Sequence, residues 1–196
     1  TEQDWRVAIA KAVGKRNELE ALARAERGRS GEYIRPILLL QAQPTFKNKS
    51  SITVEMVKEC LLKDNQIPED QIKKATGEEY EIEDLKLMAE DCGVRYIITK
   101  QALREGWDCP FAYVLCSVAE MSSSTAVEQI LGRVLRLPNV TKKSDPDLNC
   151  AYAYVSSLKF GETAKALQDA LIQNGFERQE VKDLIRSKGN QPWLMG

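Results

Sequence analysis

The sequence predicts an α/β domain of three layers, a mostly parallel sheet with helices on both faces. Three observations lead there. Short apolar runs at Arg35–Ala42, Val94–Thr99, Phe111–Val118 and Cys150–Ser156 lack the in-out alternation of a half-exposed strand, as expected of strands buried on both sides. Segments with helical spacing of apolar residues lie between them. Gly, Pro and polar clusters punctuate the joins, and this strand–helix cadence is that of a parallel sheet.

Length and composition bound the function. A chain of 196 residues can bury one good core, and its 43% hydrophobic and 29% charged residues are those of an ordinary soluble protein. No apolar run approaches the roughly 18 residues of a membrane span, so a cytoplasmic protein without a membrane partner is expected. The chain starts at Thr1 rather than Met, so the absence of a signal peptide is weak support. A net charge of −1 means that any nucleic-acid contact must be local. With no histidine, Ser-His-Asp triads, Cys-His dyads and His-ligated metals are excluded. Five cysteines without a C-x-x-C pair fit core thiols better than a disulfide framework or a zinc site, and no metal ligand is assigned.

Taken in order, residues 1–30 are expected to form an N-terminal helix packed on the domain, with Val7, Ile9, Ala10, Val13, Leu19 and Leu22 as its apolar stripe, a bend at Gly14, and an end at Gly28 and Gly31. Residues 31–157 form the core. Its first strand is Arg35–Ala42, followed by the polar loop Gln43–Ser50 at the strand's carboxyl end, where open α/β sheets place ligands. Two interpretations of Lys47 and Lys49 stand there: phosphate-backbone contacts, or an ordinary solvated loop. Thr53–Asn65 has helical spacing, an acidic first turn and Pro68 beyond it, as a crossover helix should. A short strand at Gln71–Ala75, an acidic turn region, and a helix over Asp84–Cys92 stopped by Gly93 complete this half. Asn139–Asn149 is a hydrophilic loop of the kind that varies or binds partners. Residues 158–196 are expected to hold two helices, Thr163–Asn174 and Glu177–Ser187, and a patternless tail.

The most informative stretch is Val94–Arg136. Thr125 and Glu128 have capping-box spacing, so a helix starts at Ala126 and Pro138 ends it. At about 100° per residue, Gln129, Gly132, Arg133 and Arg136 share one narrow arc, while Val127, Ile130, Leu131, Val134 and Leu135 fill the rest. Two arginines in one stripe repel each other, and glycine there lowers helix propensity by about 1 kcal/mol. Such a stripe suits an anion that must approach closely, and the planar guanidinium matches phosphate. Upstream, Gly106 permits close backbone approach and Asp108 offers a carboxylate suited to a sugar hydroxyl.

Thr99 to Asp108, reading TKQALREGWD, resembles motif V of superfamily 2 helicases, and Gln129 to Arg136, reading QILGRVLR, resembles their motif VI, Q-x-x-G-R-x-x-R. The wording R-E-G-W-D followed by C-P is similar to the Res motor subunit of type III restriction enzymes and to related DEAD/DEAH-box helicases. The resemblance covers roughly residues 35 to 156. It implies a second RecA-like motor domain, closing on ATP and Mg²⁺ that are held mainly by an N-terminal RecA-like domain of the same parent chain. It further implies Arg133 and Arg136 as arginine fingers, Gln129 positioning water or phosphate oxygens, and Gly106, Asp108 and Gly132 meeting the nucleotide. Thr99, Lys100 and Arg104 would meet DNA, duplex rather than single-stranded, and a modification methyltransferase subunit is an expected partner.

No G-x-x-x-x-G-K-[ST] phosphate loop and no acidic metal-binding strand end are present, so this chain alone is expected not to hydrolyse ATP. Any nuclease would lie elsewhere in the parent. The rival interpretation is an ATP-independent nucleic-acid-binding or scaffolding module that keeps the helicase fold. A self-contained small-molecule enzyme lacks both a nucleophile elbow and a dinucleotide fingerprint.

Overall fold

The computed structural model describes residues 2–44, 51–100, 109–119, 142–155, 185–186 and 193–195. It is an α/β domain of RecA-like type built on five parallel strands: β1 (Leu38–Gln41), β2 (Ile72–Lys74), β3 (Tyr96–Thr99), β4 (Val114–Ser117) and β5 (Ala151–Val155). They lie in the order β2-β3-β1-β4-β5, and two antiparallel segments, β7 (Trp193–Met195) and β6 (Ile185–Arg186), extend the sheet beyond β5. β1, β3, β4 and β5 are each shorter than the apolar run that announced them, and the flanking Ile37 still bonds through its N–H to Phe111 O at 2.7 Å.

Helix α1 (Glu2–Ser30) runs unbroken through Gly14. Its buried positions, Trp5, Ile9, Ala12, Arg16, Leu19, Ala23 and Glu26, recur every three or four residues and form one stripe against the sheet. Val7 is exposed and Ala10 is not part of the stripe, contrary to the sequence expectation. Gly28 lies inside the helix. The helix ends at Gly31, which adopts φ +73° and donates its N–H to Arg27 O at 2.8 Å, the left-handed cap that glycine accepts without strain.

Polar groups as well as apolar ones anchor α1. Arg16 pairs with Glu20 and donates through Nε to Pro36 O at 2.9 Å, while Glu20 also takes Arg24 and Arg95. Burial pushes the Glu20 carboxyl up, but the guanidiniums of Arg95, Arg16 and Arg24 outweigh it and hold the group down at about 2.

Helix α2 (Val54–Glu59) starts where expected, with Thr53 Oγ1 accepting from Met56 N at 3.3 Å. It continues as a π-helical turn, Cys60–Asp64. Arg6 of α1 pairs with Asp64 at the end of that turn, so α1 meets the π-helical turn. The opposite surface of the sheet, with Leu39, Ile97, Leu115 and Ala153, is buried as well.

The helix expected over Asp84–Cys92 does not form. The segment is a chain of separate turns, with Leu85 N to Ile82 O, Ala89 N to Lys86 O and Cys92 N to Ala89 O. Arg35, buried at the approach to β1, meets this segment: its guanidinium donates to the carbonyls of Leu87 and Ala89, and to that of Val94 beyond them.

Residues 142–149, part of the hydrophilic loop expected over Asn139–Asn149, are fastened to α1 and to Glu32 just beyond it. Lys143 is 1% exposed and meets both oxygens of Glu32 at 2.6 Å. Ser144 N donates to Glu26 at 2.9 Å, and Lys15 reaches Asp147 at 3.3 Å. A 3-10 turn at Pro146–Asn149 then leads into β5. Two further expectations are corrected at the carboxyl end, where Ile185–Arg186 is strand rather than helix and Trp193–Met195 is strand rather than patternless tail. Both belong to the β5 side of the sheet, where cross-strand pairing with β5 and β7 overrides the local pattern.

Candidate functional site at the carboxyl edge of the sheet

Strand register brings three polar residues into line at the carboxyl edge. Gln41 of β1 is the register partner of Thr99 on β3 and of Ser117 on β4. Side chains alternate faces along a strand. Tyr96 contacts α1, through its OH to Asn17 at 3.5 Å and with Arg16 over its ring at 5.6 Å. Thr99, three residues on, therefore projects from the other face, as do its partners Gln41 and Ser117. Ser117 Oγ donates to Gln41 Oε1 at 2.8 Å. Thr99 and Ser117 are buried, and Gln41 is half-buried.

Just beyond this row, Gln43 joins three chain segments. Its Nε2 donates to Val118 O at 3.0 Å, its Oε1 accepts from Ile52 N at 2.8 Å, and its own N–H donates to Ile52 O at 2.8 Å. Gln41 and Ser117 are not among the residues singled out in the sequence, and Gln43 enters there only as the start of the polar loop. The available signal was a polar residue ending an apolar run at the same offset in LLLQ, YIIT and VLCS.

Hydroxyls and amides at the carboxyl ends of parallel strands can orient a ligand and hold backbone segments. They supply no acid or base near neutrality. Cys116, on the face opposite Ser117, is pushed up to about 12, chiefly by burial and secondarily by Cys60, so it offers no thiolate. Among the described residues, no group of three or more Cys, Asp or Glu has the arrangement of a metal site, and no helix is long and apolar enough to cross a membrane.

Of the residues singled out in the sequence, Thr99 and Lys100 lie at this edge. Lys100 extends from the end of β3 and pairs with Glu78 at 3.2 Å. Lys47, Lys49, Arg104, Gly106, Asp108, Gln129, Gly132, Arg133 and Arg136 lie outside the described residues.

No family model matches the chain. Over 76 residues it is 40% identical to the type III restriction-modification enzyme EcoPI Res subunit of Escherichia phage P1. Over 76 residues it is also 38% identical to the EcoP15I Res subunit of Escherichia coli. The chain is similar to type III Res subunits. Each match covers 39% of this chain and 8% of the relative, so the similarity joins this domain to a small part of a much longer protein.

Proposed function

We propose that this chain is the second motor domain of an ATP-dependent, DNA-acting helicase or translocase of the type III Res kind. The supporting observation is positional. The stretch resembling motif V begins at Thr99, the last residue of β3, at the edge where Thr99, Gln41 and Ser117 line up, and the stretch resembling motif VI comes later in the chain after β4.

In this reading ATP and Mg²⁺ are held mainly by an N-terminal RecA-like domain of the parent chain, and bound ATP supplies the phosphoryl group that is transferred to water. The residues of this chain orient and neutralise. Arg133 and Arg136 donate to terminal phosphate oxygens, a contribution worth roughly 10³ to 10⁵ in rate for arginine fingers elsewhere. Gln129 positions a water or phosphate oxygen, Gly106 and Gly132 allow close approach, and Asp108 accepts from a ribose hydroxyl. Thr99, Lys100 and Arg104, with Lys47 and Lys49, form part of a track for duplex DNA. Contacts made only when the two domains close would couple hydrolysis to movement along that track. A modification methyltransferase subunit is the partner this reading brings with it.

The test is DNA-stimulated ATP turnover by the parent protein, wild type against Arg136→Ala, with nucleotide binding measured in parallel. A loss of about 10³-fold in turnover with binding little changed is expected. An unimpaired variant, or a wild type without DNA-stimulated turnover, would leave the scaffolding alternative as the better account.

A further inference from the structure

We infer that the turn carrying Glu78 and Glu79 is an internal competitor for nucleic-acid phosphate, holding the ammoniums of Lys74 and Lys100 until a duplex displaces it. This rests on the motor reading above and adds to it a lysine, Lys74, and a self-competing turn. Lys74 ends β2, and its register partner on β3 is Ile98, so Lys74 and Lys100 both stand at the carboxyl ends of neighbouring parallel strands. The same turn meets both. Glu79 reaches Lys74 at 2.7 Å, and Glu78 reaches Lys100 at 3.2 Å. Thr76 shapes the turn: its Oγ1 accepts from Glu78 N at 3.3 Å and from Glu79 N at 2.9 Å, and its own N–H donates to Glu79 O at 2.7 Å. A bridge between Ala75 and Tyr80 closes it.

The two sides of these pairs differ in what they can do. The Lys74 and Lys100 side chains are 17% and 25% exposed, whereas those of Glu79 and Glu78 are 57% and 82% exposed. The cations are held against the protein, and the carboxylates stand in solvent on a short turn, so the acids are the groups free to leave. Glu55 of α2, 3.9 Å from Lys74, is a looser neighbour. A carboxylate offers a lysine what a phosphodiester offers, a negative charge and acceptor oxygens, and an exposed ion pair is weak enough for a polyanion to replace. A duplex can present neighbouring phosphates to both lysines and so displace both carboxylates together. Every phosphate contact at this edge is therefore an exchange against the turn.

The experiment uses the parent protein as wild type, Glu78→Gln/Glu79→Gln, Thr76→Val, Lys74→Met/Lys100→Met, and the acid and lysine changes combined. Duplex affinity is titrated across a salt series, ATP turnover is measured with and without duplex, and folding is followed by thermal melting. Glu78→Gln/Glu79→Gln should bind duplex about five-fold more tightly at low salt, the order of two exposed ion pairs, with the gain shrinking as salt screens them. Thr76→Val alters no charge but removes the hydroxyl that holds the turn, and should move affinity the same way by a smaller factor. With the lysines replaced by methionine, which keeps their apolar stems, the acid changes should give no gain. The inference is overturned by an acid variant that binds no more tightly or does not melt cooperatively, and by a gain that persists without the lysines, since that would be the general field of two lost charges. If the lysine variant does not fold, Thr76→Val decides, and an unchanged affinity there overturns the inference. In each case a wild type that binds duplex and is stimulated by it leaves the motor reading intact. A wild type that does neither overturns that reading and this inference with it.

Discussion

Arg95, in the approach to β3, donates two hydrogen bonds to Glu20 of α1, from Nε at 3.2 Å and from Nη2 at 3.1 Å. The pair joins residues 75 positions apart and holds the long helix to the amino edge of the sheet, while Arg16 and Arg24 approach the same carboxylate. It sits at the end of the sheet opposite the polar row. The Glu20 cluster thus ties the helix to one edge, and the row of Thr99, Gln41 and Ser117 lies at the other.

The Glu20 cluster should make stability depend on acid pH. The folded carboxyl is held at about 2, below its ordinary 4.5, so ionised Glu20 stabilises the fold above pH 4.5. That increment is lost as pH falls from about 4.5 toward 2. Glu20→Gln should unfold more easily in urea at pH 7, by up to about 3 kcal/mol, and the gap to wild type should close by about pH 2. A gap that does not narrow with acid would show that the carboxylate charge contributes nothing.

Arg35 should decide whether residues 85–94 have an ordered course. In Arg35→Met the carbonyls of Leu87, Ala89 and Val94 lose their shared donor, and the expected loss is about 3 kcal/mol. Amide hydrogen exchange should quicken in residues 85–94 well before it does in β1 or β4. Uniform quickening would instead make Arg35 a general core residue.

Lys100 and Glu78 offer a test of the proposed DNA track. Glu78 competes with phosphate for the Lys100 ammonium, which it meets at 3.2 Å. In the parent protein, Lys100→Ala should weaken duplex binding regardless of sequence and lower the slope of log affinity against log salt by about 1. Glu78→Gln should strengthen binding at low salt. If neither variant moves the salt series, Lys100 lies off the track.

The sheet itself was legible in the sequence for a local reason. Strands buried on both faces need uninterrupted apolar runs, and Leu38–Leu40, Tyr96–Ile98 and Val114–Cys116 display them directly. The crossover helix at Val54 announced itself through its apolar spacing and acidic first turn, and of the two glycines expected to end α1, Gly31 does so. Motif spacing carried the functional expectation, and of those residues the described structure includes Thr99 and Lys100.

Local patterns were insufficient wherever a distant partner supplied the decisive bond. Asp84–Cys92 has helical composition but forms separate turns, and Arg35, 52 and 54 positions away, donates to its Leu87 and Ala89 carbonyls. Arg16 and Glu26 occupy the buried stripe of α1 because Pro36, Tyr96 and Ser144 meet them there, which no helical wheel reveals. Lys143 is buried because Glu32 is waiting for it. The sequence alone determined the four apolar runs that became β1, β3, β4 and β5 and which residue types were available for chemistry. Tertiary structure decided register and burial, and with them the alignment of Thr99, Gln41 and Ser117, because side-by-side pairing depends on the whole sheet and leaves no trace in any one strand.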